Sequence, residues 1–133
     1  MHLRQTVLAT VTLIGLAVNI PRSAASPENS APETVMVTYH AKQGSEAALA
    51  NAISRQWATA LKLKLVQETP HTVVRGNEEG KTYFVEIFTW RDASIPDKAP
   101  AAIQNIWSEM NQSVESRGGR PGIDFVVVSV VAP

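Results

Sequence analysis

The stretch Thr82-Tyr83-Phe84-Val85-Glu86-Ile87-Phe88-Thr89-Trp90 is rich in β-forming residues and is apolar at both parities. Successive side chains of a strand point to opposite faces, so Tyr83, Val85 and Ile87 go one way while Phe84, Phe88 and Trp90 go the other. An antiparallel sheet with one wet face would carry polar residues at every second position. Both faces of this strand therefore need covering. Glu86 breaks the pattern, because a carboxylate among Phe84, Phe88 and Trp90 is expensive to bury unless it is paired. The last apolar run, Ile123 to Val131, is also two-sided through Phe125-Val126-Val127-Val128, and such a strand left open at a sheet edge invites aggregation. Helices can cover one face of the sheet. The simplest cover for the other is an identical sheet related by two-fold symmetry, so the sequence predicts a homodimer.

Upstream of this stretch, Thr72 to Gly76 is a second β-rich run, joined to it by Asn77-Glu78-Glu79-Gly80, a polar connection of the kind that closes a hairpin. Val35 to Ala41 reads as the first strand of a domain starting at Thr34, closed by Lys42-Gln43-Gly44. Ser45 is placed to cap a helix that carries Leu49, Ala52, Ile53, Trp57, Ala60 and Leu61 on one face. Leu61-Lys62-Leu63-Lys64-Leu65 alternates like a strand yet continues that helical face, and Pro70 interrupts the residues after it, so the boundary between Leu63 and His71 stays open. Beyond Trp90 a loop with Pro96 and Pro100 leads into Ile103, Ile106, Trp107, Met110 and Val114, an amphipathic helix with Gly118-Gly119 as its expected end. The resulting order, strand-helix-strand-strand-helix-strand, predicts an α+β domain: a four-stranded antiparallel sheet with both helices on one face.

Composition narrows the function classes. The chain has 133 residues, 44% hydrophobic and 18% charged, with twelve basic against twelve acidic side chains and no cysteine. That apolar content excludes a disordered chain, and the length suits one ordinary domain. Without cysteine there is no disulfide framework, thiolate nucleophile, Cys-ligated zinc or lipoprotein anchor. The start has the order of a secretory signal peptide: Arg4 among Met1 to Gln5, an uncharged apolar run from Thr6 to Ile20, and small residues at Ser23 and Ala25. The run is short for a membrane span and Pro21 stops it, so export with cleavage near Ala25 is expected, to a periplasmic or secreted location, without a stable membrane anchor. Cleavage leaves 108 residues with a net charge of −2. Residues 26–33, with Pro27 and Pro32, read as a flexible leader before the domain of residues 34–133. Basic residues do not cluster with aromatics on one face, so no nucleic-acid partner is expected.

The Val37-Thr38-Tyr39-His40 strand before Gly44, the Tyr83-Phe84-Val85-Glu86-Ile87-Phe88-Thr89-Trp90 strand, and the Ile106-Trp107 helix closing on Arg117-Gly118-Gly119-Arg120-Pro121 resemble the dimeric α+β barrel superfamily. Within it, the chain is similar to antibiotic-biosynthesis-monooxygenase-like domains. The resemblance spans roughly Thr34 to Val131 and implies two ferredoxin-like subunits whose sheets face each other as a barrel, with a pocket in each between sheet and helices. Members include cofactor-independent oxygenases of polycyclic phenols, haem-degrading enzymes, isomerases, dehydratases and proteins without known activity, and the fold does not select among them. The haem-degrading members use a helical histidine, and neither predicted helix here contains one.

His40 and Glu86 are the candidate catalytic residues, as acid/base groups that would matter if they share a cavity. Glu86 has two candidate partners, His40 on a neighbouring strand and Arg75 across the hairpin, the second giving a purely structural ion pair. Trp90, Trp107, Phe88, Tyr39 and Arg75 are candidate substrate-binding residues, since indoles present flat apolar faces with one N–H donor. Core packing is the competing account for Trp57 and Trp107 on their helical stripes, and for Tyr39 and Tyr83. Arg117 and Arg120 flank the paired glycines, suited either to an anion or simply to a helix C-terminus. His71, between Pro70 and Thr72, reads as a loop residue. No HExxH, Walker, GxSxG or GxGxxG motif occurs, so no metal site and no cofactor are expected. Two function classes remain: a small exported enzyme without cofactor, monooxygenase-like or isomerase-like, acting on a small apolar or aromatic molecule, and a non-catalytic periplasmic ligand-binding or interaction module on the same dimer.

Overall fold

The computed structural model describes residues 30–132. The expected signal peptide and residues 26–29 of the expected leader lie outside the described residues. The chain runs β1 (Glu33–His40), α1 (Glu46–Lys62), β2 (Val66–Glu78), β3 (Lys81–Trp90), a 3-10 turn (Ile95–Lys98), α2 (Ala101–Ser113) and β4 (Ile123–Val127). The strands form one sheet in the order β2-β3-β1-β4, with every neighbouring pair antiparallel. This is the ferredoxin-like α+β arrangement, a four-stranded antiparallel sheet with two helices.

Register sorts the sheet into its two faces, because residues paired across antiparallel strands point the same way. Val35 pairs with Phe88, Val37 with Glu86 and Tyr39 with Phe84, and all six are buried on the side that meets the helices. From α1 come Leu49, Ala52, Ile53 and Ala60, and from α2 come Ile103, Ile106 and Met110. Burying a Leu or Ile of this kind contributes about 1.5–3 kcal/mol relative to leaving it exposed. On the opposite face Met36, Tyr83, Val85 and Ile87 are only half-buried, while Val74 and Val126 are exposed. The strand that runs from Lys81 to Trp90 is thus two-sided, as its alternation requires.

Several boundaries differ from the sequence expectation. β2 takes in the stretch that sequence left open, and His71 lies inside it, paired with Phe88, instead of in a loop. The register shifts between Val66 and His71, and a break of that kind conceals a strand from alternation patterns. The hairpin turns on Glu79 and Gly80, both at positive φ, with the Gly80 N–H donating to Asn77 Oδ1. Ser45 stands at the N-cap of α1, but its hydroxyl makes no capping bond. α2 ends at Ser113, so Val114 is extended, and Gly118-Gly119 instead turns a small bridge between Arg117 and Arg120. β4 stops at Val127, short of the expected Val131: Val127 pairs with Val35, and beyond it one further bond runs from the Val128 N–H to the Thr34 carbonyl. At this same end of the sheet β1 begins at Glu33, which the sequence reading assigns to the leader.

Candidate functional site

Glu86 is fully buried at the centre of the helix-covered face. Alternation places it there, and the structure supplies three hydrogen-bonding partners from three other elements. The Tyr39 hydroxyl from β1 donates to Oε1 at 2.8 Å, and the Gln56 side-chain amide from α1 donates to the same oxygen at 3.2 Å. His71 from β2 places Nε2 3.0 Å from Oε2. Gln56 is held in turn, because its carbonyl oxygen accepts the Trp107 indole N–H from α2 at 2.5 Å. Five elements thus meet through one carboxyl group. A buried polar group is tolerable when it is hydrogen-bonded, and here Oε1 has two partners and Oε2 has one. Burial raises the Glu86 pKa above the ordinary carboxylate value, partly offset by the hydrogen bonds from His71 and Tyr39. The Tyr39 hydroxyl is raised well above its usual value, first by burial and then by the adjacent carboxylate.

Beside this network, between the sheet and α2, lies a cavity of about 410 Å³. Its sheet wall consists of Val35, Val37, Tyr39, Phe88 and Trp90, and its helical wall includes Trp107 and Met110. Phe88 and Trp90 meet edge to face at 4.9 Å between centroids, and Trp90 and Trp107 do so at 6.3 Å. Phe125 of β4 edges the cavity while remaining exposed, and Glu33 and Asp97 also line it. Tyr39 and Gln56 line the cavity and also bond Glu86, so they connect the two features. A mostly apolar concavity of this size with a few convergent polar groups is the usual form of a small-molecule site.

Of the residues singled out from sequence, the structure brings Glu86, Tyr39, Phe88, Trp90 and Trp107 together at this place. His40 is not there. It pairs with Tyr83 on the opposite sheet face, where its Nδ1 lies 3.0 Å from the Pro121 carbonyl oxygen, so the His40–Glu86 pair does not form. Arg75 does not reach Glu86 either. Its guanidinium sits 5.8 Å from the Phe84 ring centroid and donates weakly to the Thr82 hydroxyl, and Arg75 does not line the cavity. Arg117 spends its donors on the Thr82 and Ala41 carbonyls and the Glu115 carboxylate, joining strand ends, while Arg120 is exposed and 3.9 Å from Asp124. Sequence reasoning missed His71 and Gln56. Gln56 lies between Ile53 and Trp57 on the buried stripe of α1, and a polar residue on that stripe was the available signal. Among the described residues no group of three or more His, Asp or Glu side chains is placed to hold a metal ion.

No family model and no curated protein matches this sequence. Solved structures do share its fold. A dimeric ferredoxin-like protein of unknown function from Jannaschia superposes with a TM-score of 0.55 at 19% identity, covering 74% of this chain and 99% of that one. A conserved protein from Methanosarcina mazei gives 0.57 at 11% identity over 74% and 91% of the two chains. A conserved protein of unknown function from Bacteroides thetaiotaomicron, described as a possible oxidoreductase, gives 0.55 at 11% identity over 74% and 99%.

Proposed function

We propose that this chain is an exported homodimer whose cavity takes a small, largely apolar or aromatic molecule, and that it acts on that molecule as a cofactor-independent enzyme like the antibiotic-biosynthesis monooxygenases. One observation carries the reading: a buried carboxyl with a raised pKa is hydrogen-bonded to two residues that line an aromatic cavity. Oxygenation without a bound cofactor requires that the substrate be made electron-rich, and removing a proton from a phenol does this. Dioxygen is then the oxidant. A general base for that step should have a pKa moved toward neutrality, the direction in which burial moves Glu86. Tyr39, whose hydroxyl already donates to Glu86, can take up a ligand proton as it passes its own to the carboxylate. The dimeric ferredoxin-like neighbour and the one described as a possible oxidoreductase are compatible with this reading.

A second reading, a ligand-binding or interaction module, draws on the position of Glu86 behind the cavity wall, with both oxygens already bonded. Glu86→Gln separates the two, with dihydroxyanthrone, a tricyclic phenol, as substrate and oxygen uptake as readout. For the enzyme the variant should lose turnover by about a hundredfold or more while still binding the phenol as a dimer. For the module, wild type consumes no oxygen above the uncatalysed rate and the substitution changes only affinity or stability. Export is tested by the intact mass of the protein recovered from the periplasmic fraction. A chain beginning at Ser26 is expected, and one retaining Met1 would overturn it.

A further inference from the structure

The hydrogen-bond network around Glu86 has two ends, and only one of them is at the cavity. Tyr39 and Gln56 line the cavity, whereas His71 does not. The His71 ring stacks on Trp57 of α1, with centroids 3.6 Å apart and planes inclined by 2°, and this holds its Nε2 on Glu86. Its side chain is 22% exposed while that of Glu86 is wholly buried. Among the described residues the one buried side-chain nitrogen or oxygen without a partner is Arg117 Nε, and the second His71 ring nitrogen makes no protein hydrogen bond, so that Nδ1 reaches solvent. Trp57 stacks on this histidine, Phe88 is its cross-strand partner and Glu86 its hydrogen-bond partner, with no lysine or arginine bonded to the carboxyl.

We propose that His71 is the outer terminal of a proton path, exchanging protons with solvent on behalf of a cavity it does not touch. The inference rests on the cavity being a binding site for a proton-donating molecule, as proposed above. The balance is simple. A phenolic proton passes to the Tyr39 oxygen as the Tyr39 proton passes to Glu86 Oε1, and the carboxyl becomes neutral. Imidazolium at His71 then loses the charge that stabilised it and releases its Nδ1 proton to water. The Glu86–His71 pair holds the same number of protons before and after, the ligand has lost one and water has gained one. The arrangement also means that a ligand filling the cavity does not block the release of its own proton. His71 acts through Glu86, so it is a positioning residue, and it never meets the ligand.

The probe is para-nitrophenol, whose ionised form is coloured, bound to the full dimer at slightly acidic pH, where the free phenol is mainly neutral. Its affinity and its rate of ionisation after a rapid pH jump are measured separately. His71→Ala and His71→Gln are expected to bind the probe with wild-type affinity but to ionise it at least about tenfold more slowly. Added imidazole should restore the rate in His71→Ala, and non-basic pyrrole, which can stack on Trp57 equally well, should not. Wild-type ionisation rates in either variant, or equal rescue by pyrrole, would overturn the path and leave the cavity reading standing. If the wild-type protein fails to bind the probe, the cavity reading falls and the path with it.

Discussion

Burial holds the Glu86 carboxyl above its ordinary range, so the folded protein binds this proton more tightly than the unfolded chain does. The folded pKa being the higher, the contribution of this group to stability is fully present below the unfolded value and is lost as pH rises through the folded one. Wild type should therefore lose stability relative to Glu86→Gln as pH rises from the unfolded carboxylate value to the folded one, and the variant should lack that component. Chemical denaturation of both proteins across the range checks this; identical slopes would exclude it. Glu86→Ala should cost more, about 2–4 kcal/mol, because Tyr39, Gln56 and His71 would all lose their acceptor. That Glu86 is buried was legible in the sequence, from parity alone. Its partners were not, because parity says which residues of one strand share a face and leaves open how strands are matched. The register of Val37 against Glu86 puts Tyr39 on the Glu86 side and sends His40 to the other.

Elements are where short-range patterns succeed or fail. α1 and α2 follow the 3.6-residue stripe, and β3 follows its alternation, because each is continuous and amphipathic or two-sided over its whole length. The second half of β2 was read from its β-rich run, Thr72 to Gly76, but its first half escaped, because the register breaks between Val66 and His71 and the alternation that marks a strand breaks with it. The hairpin it forms with β3 also depends on a close approach. Gly76 pairs with Tyr83, and a Cβ added to Gly76 would overlap the Tyr83 ring. Gly76→Ala should therefore destabilise the protein by about 1–3 kcal/mol through this overlap, measurable by thermal or chemical unfolding. Combining it with Tyr83→Ala should recover much of that cost, which a purely conformational effect at the glycine would not show.

For the whole molecule the decisive feature is the sheet face without helices. Met36, Val85 and Ile87 lie on it half-buried, with Val74 and Val126 more exposed, and cross-strand pairing makes them neighbours in one apolar patch of the kind that marks an interaction surface. Placing a charge at its centre with Ile87→Lys should convert the proposed dimer into monomer or aggregate while leaving the helix-covered core intact, as seen by light scattering and circular dichroism. A monodisperse wild-type monomer at micromolar concentration would overturn the dimer. The arginine–glutamate contact between α1 and α2, Arg55 with Glu109, is exposed at both ends and contributes little to holding the molecule together. The sequence by itself determined the order of elements, the two-sidedness of the central strand and the burial of Glu86, because each depends on periodicity within one segment. Only the tertiary structure decided which residues meet. It replaced His40 and Arg75 with His71 and Gln56 beside Glu86, and it joined the network to the aromatic cavity. Those contacts depend on strand register and on how the helices lie across the sheet, and both arise from packing between segments distant in the chain.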